Sequence, residues 1–284
     1  MRTRRRASAL GVFAILTGAL LACLVRPADA QAPAGYTAPR SKIGDGKPDL
    51  SGLWQVLNTA NWDILSHAQQ PGPMYQLGAL FMAPPAKGVV DGDALPYQPW
   101  AAARKQQNFE SRIKTEPFKN DLGDPELKCY MPGVPRATYM PYPFQILHGQ
   151  REMLFVYQFG KANRVIHMNQ KKESTVDSWM GISNGRWDGD SLVVEVEGLN
   201  GLAWLDRAGN FISEAARVTE RYTPVSPYHM RYQATINDPK VFTRPWSMSM
   251  MLYRIIDDNA EMLDLNCVEF SEEALYGAIR LRTN

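Results

Sequence analysis

His229-Met230-Arg231-Tyr232-Gln233-Ala234-Thr235-Ile236-Asn237 decides the fold. Met230, Tyr232, Ala234 and Ile236 occupy one set of alternate positions, and His229, Arg231, Gln233 and Thr235 the other. That period of two belongs to a strand with one face turned to a core. Similar short runs precede it at Phe144–His148, Met153–Phe159, Asn163–Met168, Met180–Trp187, Ser191–Glu197 and Ala216–Tyr222. Ser247–Ile256 and Glu261–Phe270 follow. The breaks carry turn chemistry, as in Gly149-Gln150, Gly160-Lys161, Asp188-Gly189-Asp190, Ala208-Gly209-Asn210 and Asp257-Asp258-Asn259. Nine short strands with tight turns predict an all-β domain, an antiparallel barrel or a sandwich. In Ser247–Ile256 the two faces differ less: Met248, Met250 and Leu252 oppose Met251, Tyr253 and Ile255. That strand is expected to be covered on both sides.

Working outward, residues 44–143 read as an irregular, Pro-rich N-terminal part of the same domain. Gly46-Lys47-Pro48-Asp49-Leu50-Ser51-Gly52-Leu53-Trp54-Gln55-Val56 is a turn entering a short strand. One helix is predicted, over Pro99 to Lys114, with Ala102, Phe109 and Ile113 on one face. Residues 144–284 form the β-meander, and 31–43 a flexible leader.

The first thirty residues carry an export address. Arg2, Arg4, Arg5 and Arg6 precede an apolar run from Ala9 to Val25, and Ala28-Asp29-Ala30 offers small residues at a cleavage site. This predicts a secreted or periplasmic protein. Arg4-Arg5-Arg6 could belong to a twin-arginine signal, but Ala7, Ser8 and Ala9 after it are weakly apolar where that signal wants bulky residues, so an ordinary Sec-type signal is expected. Leu20-Leu21-Ala22-Cys23 resembles a lipoprotein box that would lipidate Cys23. The full chain has 31 basic and 29 acidic residues, and residues 1–30 hold five Arg and one Asp. The remainder has 26 basic against 28 acidic side chains, so no nucleic-acid footprint is expected. No transmembrane span is expected in the mature protein.

Two cysteines remain after Cys23, and in an oxidising compartment Cys129 and Cys267 are expected to form a disulfide. It would tie the loop-rich half to the last strand and stabilise by about 3–5 kcal/mol through its long loop.

Gly52-x-Trp54 followed by an up-and-down β pattern resembles the start of a lipocalin or calycin barrel. That resemblance implies that Trp54 closes one end under a basic side chain, Arg280 or Arg282. Further motifs cover most of the mature chain: Asp45-Gly46-Lys47-Pro48-Asp49-Leu50-Ser51-Gly52-Leu53-Trp54, Cys129-x-x-Pro132-Gly133-x-Pro135-Arg136, Gly185-Arg186-Trp187-Asp188-Gly189-Asp190-Ser191-Leu192-Val193-Val194-Glu195 and Asp238-Pro239-x-x-Phe242-Thr243-x-Pro245-Trp246. Together they are similar to a large set of exported bacterial proteins of unassigned activity, a resemblance that implies export and no particular chemistry.

Candidate chemistry is sparse. His67, His148, His167 and His229 show no metal-ligand spacing, although neighbouring hairpins could bring His148 and His167 together near Glu195 or Asp190. No metal is predicted. Gly181-Ile182-Ser183-Asn184-Gly185 fits Gly-x-Ser-x-Gly, but its context is hairpin and strand rather than a strand-to-helix elbow. No glycine-rich phosphate or dinucleotide loop follows a strand, so no NAD or ATP cofactor is expected. Arg164, Trp187, Asp190, Asp206, Glu220, Arg221, Asp238 and Trp246 lie in or beside apolar strands. Read structurally, they are ion pairs and turn caps. Read functionally, Glu220 or Asp206 is a general acid/base, and Arg136 or Arg164 holds an anionic substrate.

The predicted ligand pocket is the barrel interior. Ten methionines between Met131 and Met262, with Tyr139, Tyr142, Tyr157, Trp179, Tyr232 and Tyr253, would make either a core or an adaptable apolar cavity. Its floor is expected at Tyr232 with Met250 or Tyr253, flanked by Trp187 and Trp246. Polar contacts are expected from Arg164, Glu220 and His167. Three functions remain open: binding of a small apolar or aromatic molecule, a cofactor-independent isomerase, lyase or hydrolase, or a structural envelope lipoprotein.

Overall fold

A computed structural model describes residues 36–70, 83–112 and 123–269. The export segment 1–30 lies outside them, as do Ile113, Arg280 and Arg282. The described chain forms a closed nine-stranded barrel. Its strands are β1 (Gly52–Val56), β2 (Phe144–His148), β3 (Glu152–Tyr157), β4 (Asn163–Met168), β5 (Ile182–Asp188), β6 (Ser191–Glu197), β7 (Arg217–Pro224), β8 (His229–Asn237) and β9 (Trp246–Arg254). Helix α1 spans Pro99–Ser111 and the single turn α2 spans Arg136–Tyr139, with a 3-10 turn at Pro125–Lys128 between them. Among the described residues no helix is long and apolar enough to cross a membrane.

Neighbours pair in chain order, and β1 closes the ring between β2 and β9. Every pair is antiparallel except β4 and β5, which run parallel. The reason is length: residues 169–181 carry the chain back to the end where β4 began, which a tight turn cannot do. Gly185 lies at this junction, and a Cβ there would meet Ile166 and Met168 side chains at 2.6 Å. The ninth strand is therefore β1; the last predicted strand, Glu261–Phe270, is irregular over its described part. Leu263 and Val268 there are exposed.

The alternation of β8 is met in full. Met230, Tyr232, Ala234 and Ile236 are completely buried, and with Phe144, Phe155, Leu192, Val194, Tyr222, Met248 and Leu252 they fill the barrel. β9 is covered differently from its prediction. Its first half is not roofed over but extended sideways, because Asp91 N–H donates to Ser247 O and Ser249 N–H to Val89 O. In α1 the buried face is Ala101, Asn108 and Ser111, one position off the predicted stripe, and Ala102 is exposed.

Antiparallel order sorts the connections between two ends. Residues 57–143, 158–162, 198–216 and 238–245 all sit at one end, where they form a thick cap. The turns at 149–151, 189–190 and 225–228 and the incoming segment 36–51 sit at the other. There Arg254 lies over the Trp54 ring, 4.4 Å from its centre, and donates to Ser51 O at 2.6 Å. Gly52 makes room with φ 131°; a Cβ would come within 2.7 Å of Arg254. The basic partner of Trp54 is thus the last residue of β9. The described part of the leader, 36–43, is docked: Ala38 and Ser41 are buried and Arg40 pairs with Asp190.

After β9 the chain returns along the outside. Gln158 donates to Leu263 O, Lys161 pairs with Asp264, and Cys267 forms a disulfide with Cys129 in the cap. The disulfide therefore reaches an irregular tail rather than a strand.

Candidate functional site

Three predicted residues do meet inside the barrel. Arg164 on β4 and Glu220 on β7 form an ion pair with both side chains sealed from solvent. Arg164 Nε also donates to Ser183 Oγ at 2.7 Å. Glu220 Oε1 accepts from the Tyr232 hydroxyl at 2.7 Å and from the Tyr222 hydroxyl at 3.0 Å. Burial first, and the Glu220 charge second, hold both tyrosines well above the ordinary phenol range, so they stay donors. This is a buried hydrogen-bonded network within the core, in which Arg164 Nη1 is left without a partner. Ser183 of the Gly-x-Ser-x-Gly string is fixed in mid-strand as an acceptor.

The remaining candidates are dispersed. His167 projects from the outer face of β4 to Glu152 at 3.0 Å. Tyr253 is also on the outer face, edge-on to His229. Met250 points inward and Trp246 packs on Phe242 beneath the cap. Trp187 lies against His148 near the opposite end. Among the described residues no group of three His, Cys, Asp or Glu side chains is placed to hold a metal ion.

Arg136 and Asp206 belong to the cap. Arg136, the first residue of α2, is buried and donates to Asn61, to both oxygens of Asp124 and to Glu126. Glu126 is gripped from the other side by Arg207 through two bonds of 2.7 Å. Burial would raise the Glu126 carboxyl, but Arg207 and Arg136 outweigh it and bring it down to about 2. Asp206 is fully buried in the 198–216 loop and accepts from Ile64 N–H, Asn210 N–H and Asn210 Nδ2. Burial and then the nearby Asp63 push it up to about 7, against the Asn210 and Ile64 bonds and Arg136.

These two shifts set opposite pH limbs. Asp206 ionises near 3.8 when unfolded and near 7 when folded, so the folded chain holds the extra proton between those values. Stability from this group is therefore lost as pH rises from 4 to 7, on the order of 2–4 kcal/mol. Asp63, raised by burial, adds in the same direction, while Lys105 and His67 oppose it. Glu126 acts the other way, and its contribution is lost below about 4.5 as pH falls toward 2. Denaturation midpoints measured from pH 4 to 7 should fall in wild type and stay flatter in Asp206→Asn. Parallel slopes for the two proteins would refute the assignment.

Three cavities lined by described residues lie outside the barrel lumen. One of about 660 Å³ is a groove in the cap, between α1, the Pro125–Lys128 turn and the 198–216 loop. Its walls are aromatic: Trp100, Tyr130, Trp179, Trp204 and Phe211. Tyr130 and Trp179 pack at 5.3 Å, Trp100 and Phe211 at 6.1 Å. Trp204 and Phe211 are bridged across the loop that Asp206 and Asn210 pin at its base. Trp100 is 55% exposed, although its indole N–H donates to Lys240 O. Arg104 stands one helical turn beyond Trp100 on the same face of α1.

Sequence reasoning missed Trp100, Arg104, Tyr130, Trp204 and Phe211 as site residues. The available signal was the placing of large aromatics in loops and at a helix start rather than on an inward strand face. No protein-family model matches the chain, and a search of curated proteins finds no match.

Proposed function

We propose that this is an exported protein that binds a small, largely aromatic molecule in the cap groove. The observation that carries the reading is five aromatic side chains around one open cavity of about 660 Å³. That volume lies within the range of small-molecule sites, roughly 300–1,000 Å³, and such sites are mostly apolar and aromatic. A half-exposed Trp beside Tyr130 and Leu202, also exposed, is an apolar patch that a ligand would cover. Export is supported by the Arg-rich, apolar leader and by the Cys129–Cys267 disulfide. The resemblance of the long motifs to those of exported bacterial proteins supports the same setting. Glu220 gives no support to an enzymatic reading, because it has no exposed surface and its partners are all internal.

Titration of intrinsic tryptophan fluorescence with 2-naphthol and 2-naphthoate tests the proposal. Saturable quenching is expected, since Trp100, Trp179 and Trp204 all line the groove. Trp100→Ala and Trp179→Ala should each weaken binding about 5- to 20-fold, from the lost ring contact. Trp100→Ala should leave the unfolding midpoint nearly unchanged. Absence of saturable binding, or wild-type affinity in both variants, would overturn the reading.

A further inference from the structure

The geometry points to an aromatic acid as the groove's occupant, its ring between the tryptophans and its anionic group at Arg104. This deepens the groove reading above and rests on it. Two cations line the cavity, Arg104 and Lys128, and one carboxylate, Glu214. Glu214 is already committed to an ion pair with Lys240.

Arg40, Arg186, Arg217 and Arg221 each face a carboxylate, Asp190, Glu195, Glu197 and Asp188, whereas the exposed Arg151 and Arg244 pair with none among the described residues and stand away from the groove. Arg104 has no ion-pair partner among the described residues, yet it lies on the cavity wall above an exposed indole. A planar guanidinium suits a planar carboxylate through two parallel bonds and also stacks on rings. A neutral aromatic would leave the Arg104 guanidinium facing an apolar surface.

Three naphthalene probes of one ring size separate the possibilities by calorimetry: 2-naphthoate, 2-naphthalenemethanol and 2-naphthylmethylammonium. Naphthoate should bind about tenfold tighter than the alcohol, the size of one charge-assisted hydrogen-bonded contact, and the ammonium probe weakest. Raising salt should narrow the gap. Arg104→Gln, an exposed substitution, should bring naphthoate to within about twofold of the alcohol measured on the same variant. Equal binding of acid and alcohol in wild type, or an undiminished preference in Arg104→Gln, would overturn this inference while leaving the groove intact. Failure of all three probes would instead remove the groove as a binding site.

Discussion

Arg136→Met is expected to cost about 3–5 kcal/mol, because it leaves one buried carboxylate without a cation and takes one of two cations from a second. Asp124 and Glu126 are buried with Arg136, and the guanidinium bonds both. Arg207 would still hold Glu126, but Asp124 would keep only backbone N–H donors such as that of Glu126. Lysine is no substitute: Arg136 spends Nε on Asn61 and its two terminal nitrogens on the two acids, a fork an ammonium cannot reproduce. The same acids anchor the Pro125–Lys128 turn, whose residues and Tyr130 wall the groove. The variant should therefore also lose probe affinity. Chemical denaturation gives the measurement, and a loss below 1 kcal/mol would show that the network is not essential.

Glu220→Gln should fall in the same range, about 3–5 kcal/mol, for the mirror-image reason. The amide can still accept from Tyr232 and Tyr222, but it presents N–H groups or a neutral oxygen to Arg164, leaving a buried cation uncompensated. One guanidinium nitrogen, Nη1, already lacks a hydrogen-bond partner in the structure, so Arg164 has nothing in reserve. Replacing both partners, Arg164→Met with Glu220→Leu, should recover most of the loss, since an apolar pair of similar size carries no such charge. A variant Glu220→Gln as stable as wild type would show that Glu220 is not a core anchor and would return it to candidacy as an acid/base.

The barrel was legible because inner and outer residues alternate with a fixed period. β2, β4, β6 and β8 lie where their alternation or apolar runs put them, residue for residue. The parallel step from β4 to β5 was not legible, because turn chemistry reports only whether two neighbours join tightly. Residues 261–269 carry strand-forming side chains yet pair with no strand among the described residues, since β1 already occupies the last edge. Period two also placed Arg164, Glu220 and Tyr232 on one inner surface. Whether that surface encloses a space or a packed network depends on side-chain volumes summed around nine strands, which no local pattern records. The groove was harder still. Its rings come from α1, the turn before Tyr130, the β4–β5 link and the β6–β7 loop, four regions that only the closed ring assembles.

The disulfide joins residues 138 apart, and the ring it makes contains eight of the nine strands. β1 alone is left outside, like the final stave driven into a hooped cask. Its two seams are sequence-remote: Trp54 meets Phe144 on one side and Arg254 on the other. A chain threaded out from its N-terminus exposes this strand first and completes it last, since its second neighbour is 200 residues away. Until then Leu53, Trp54 and Val56 wait beside an open edge. Barrel closure is thereby a late, single event, and the span from Gly52 to Val56 is where the finished cask would first spring.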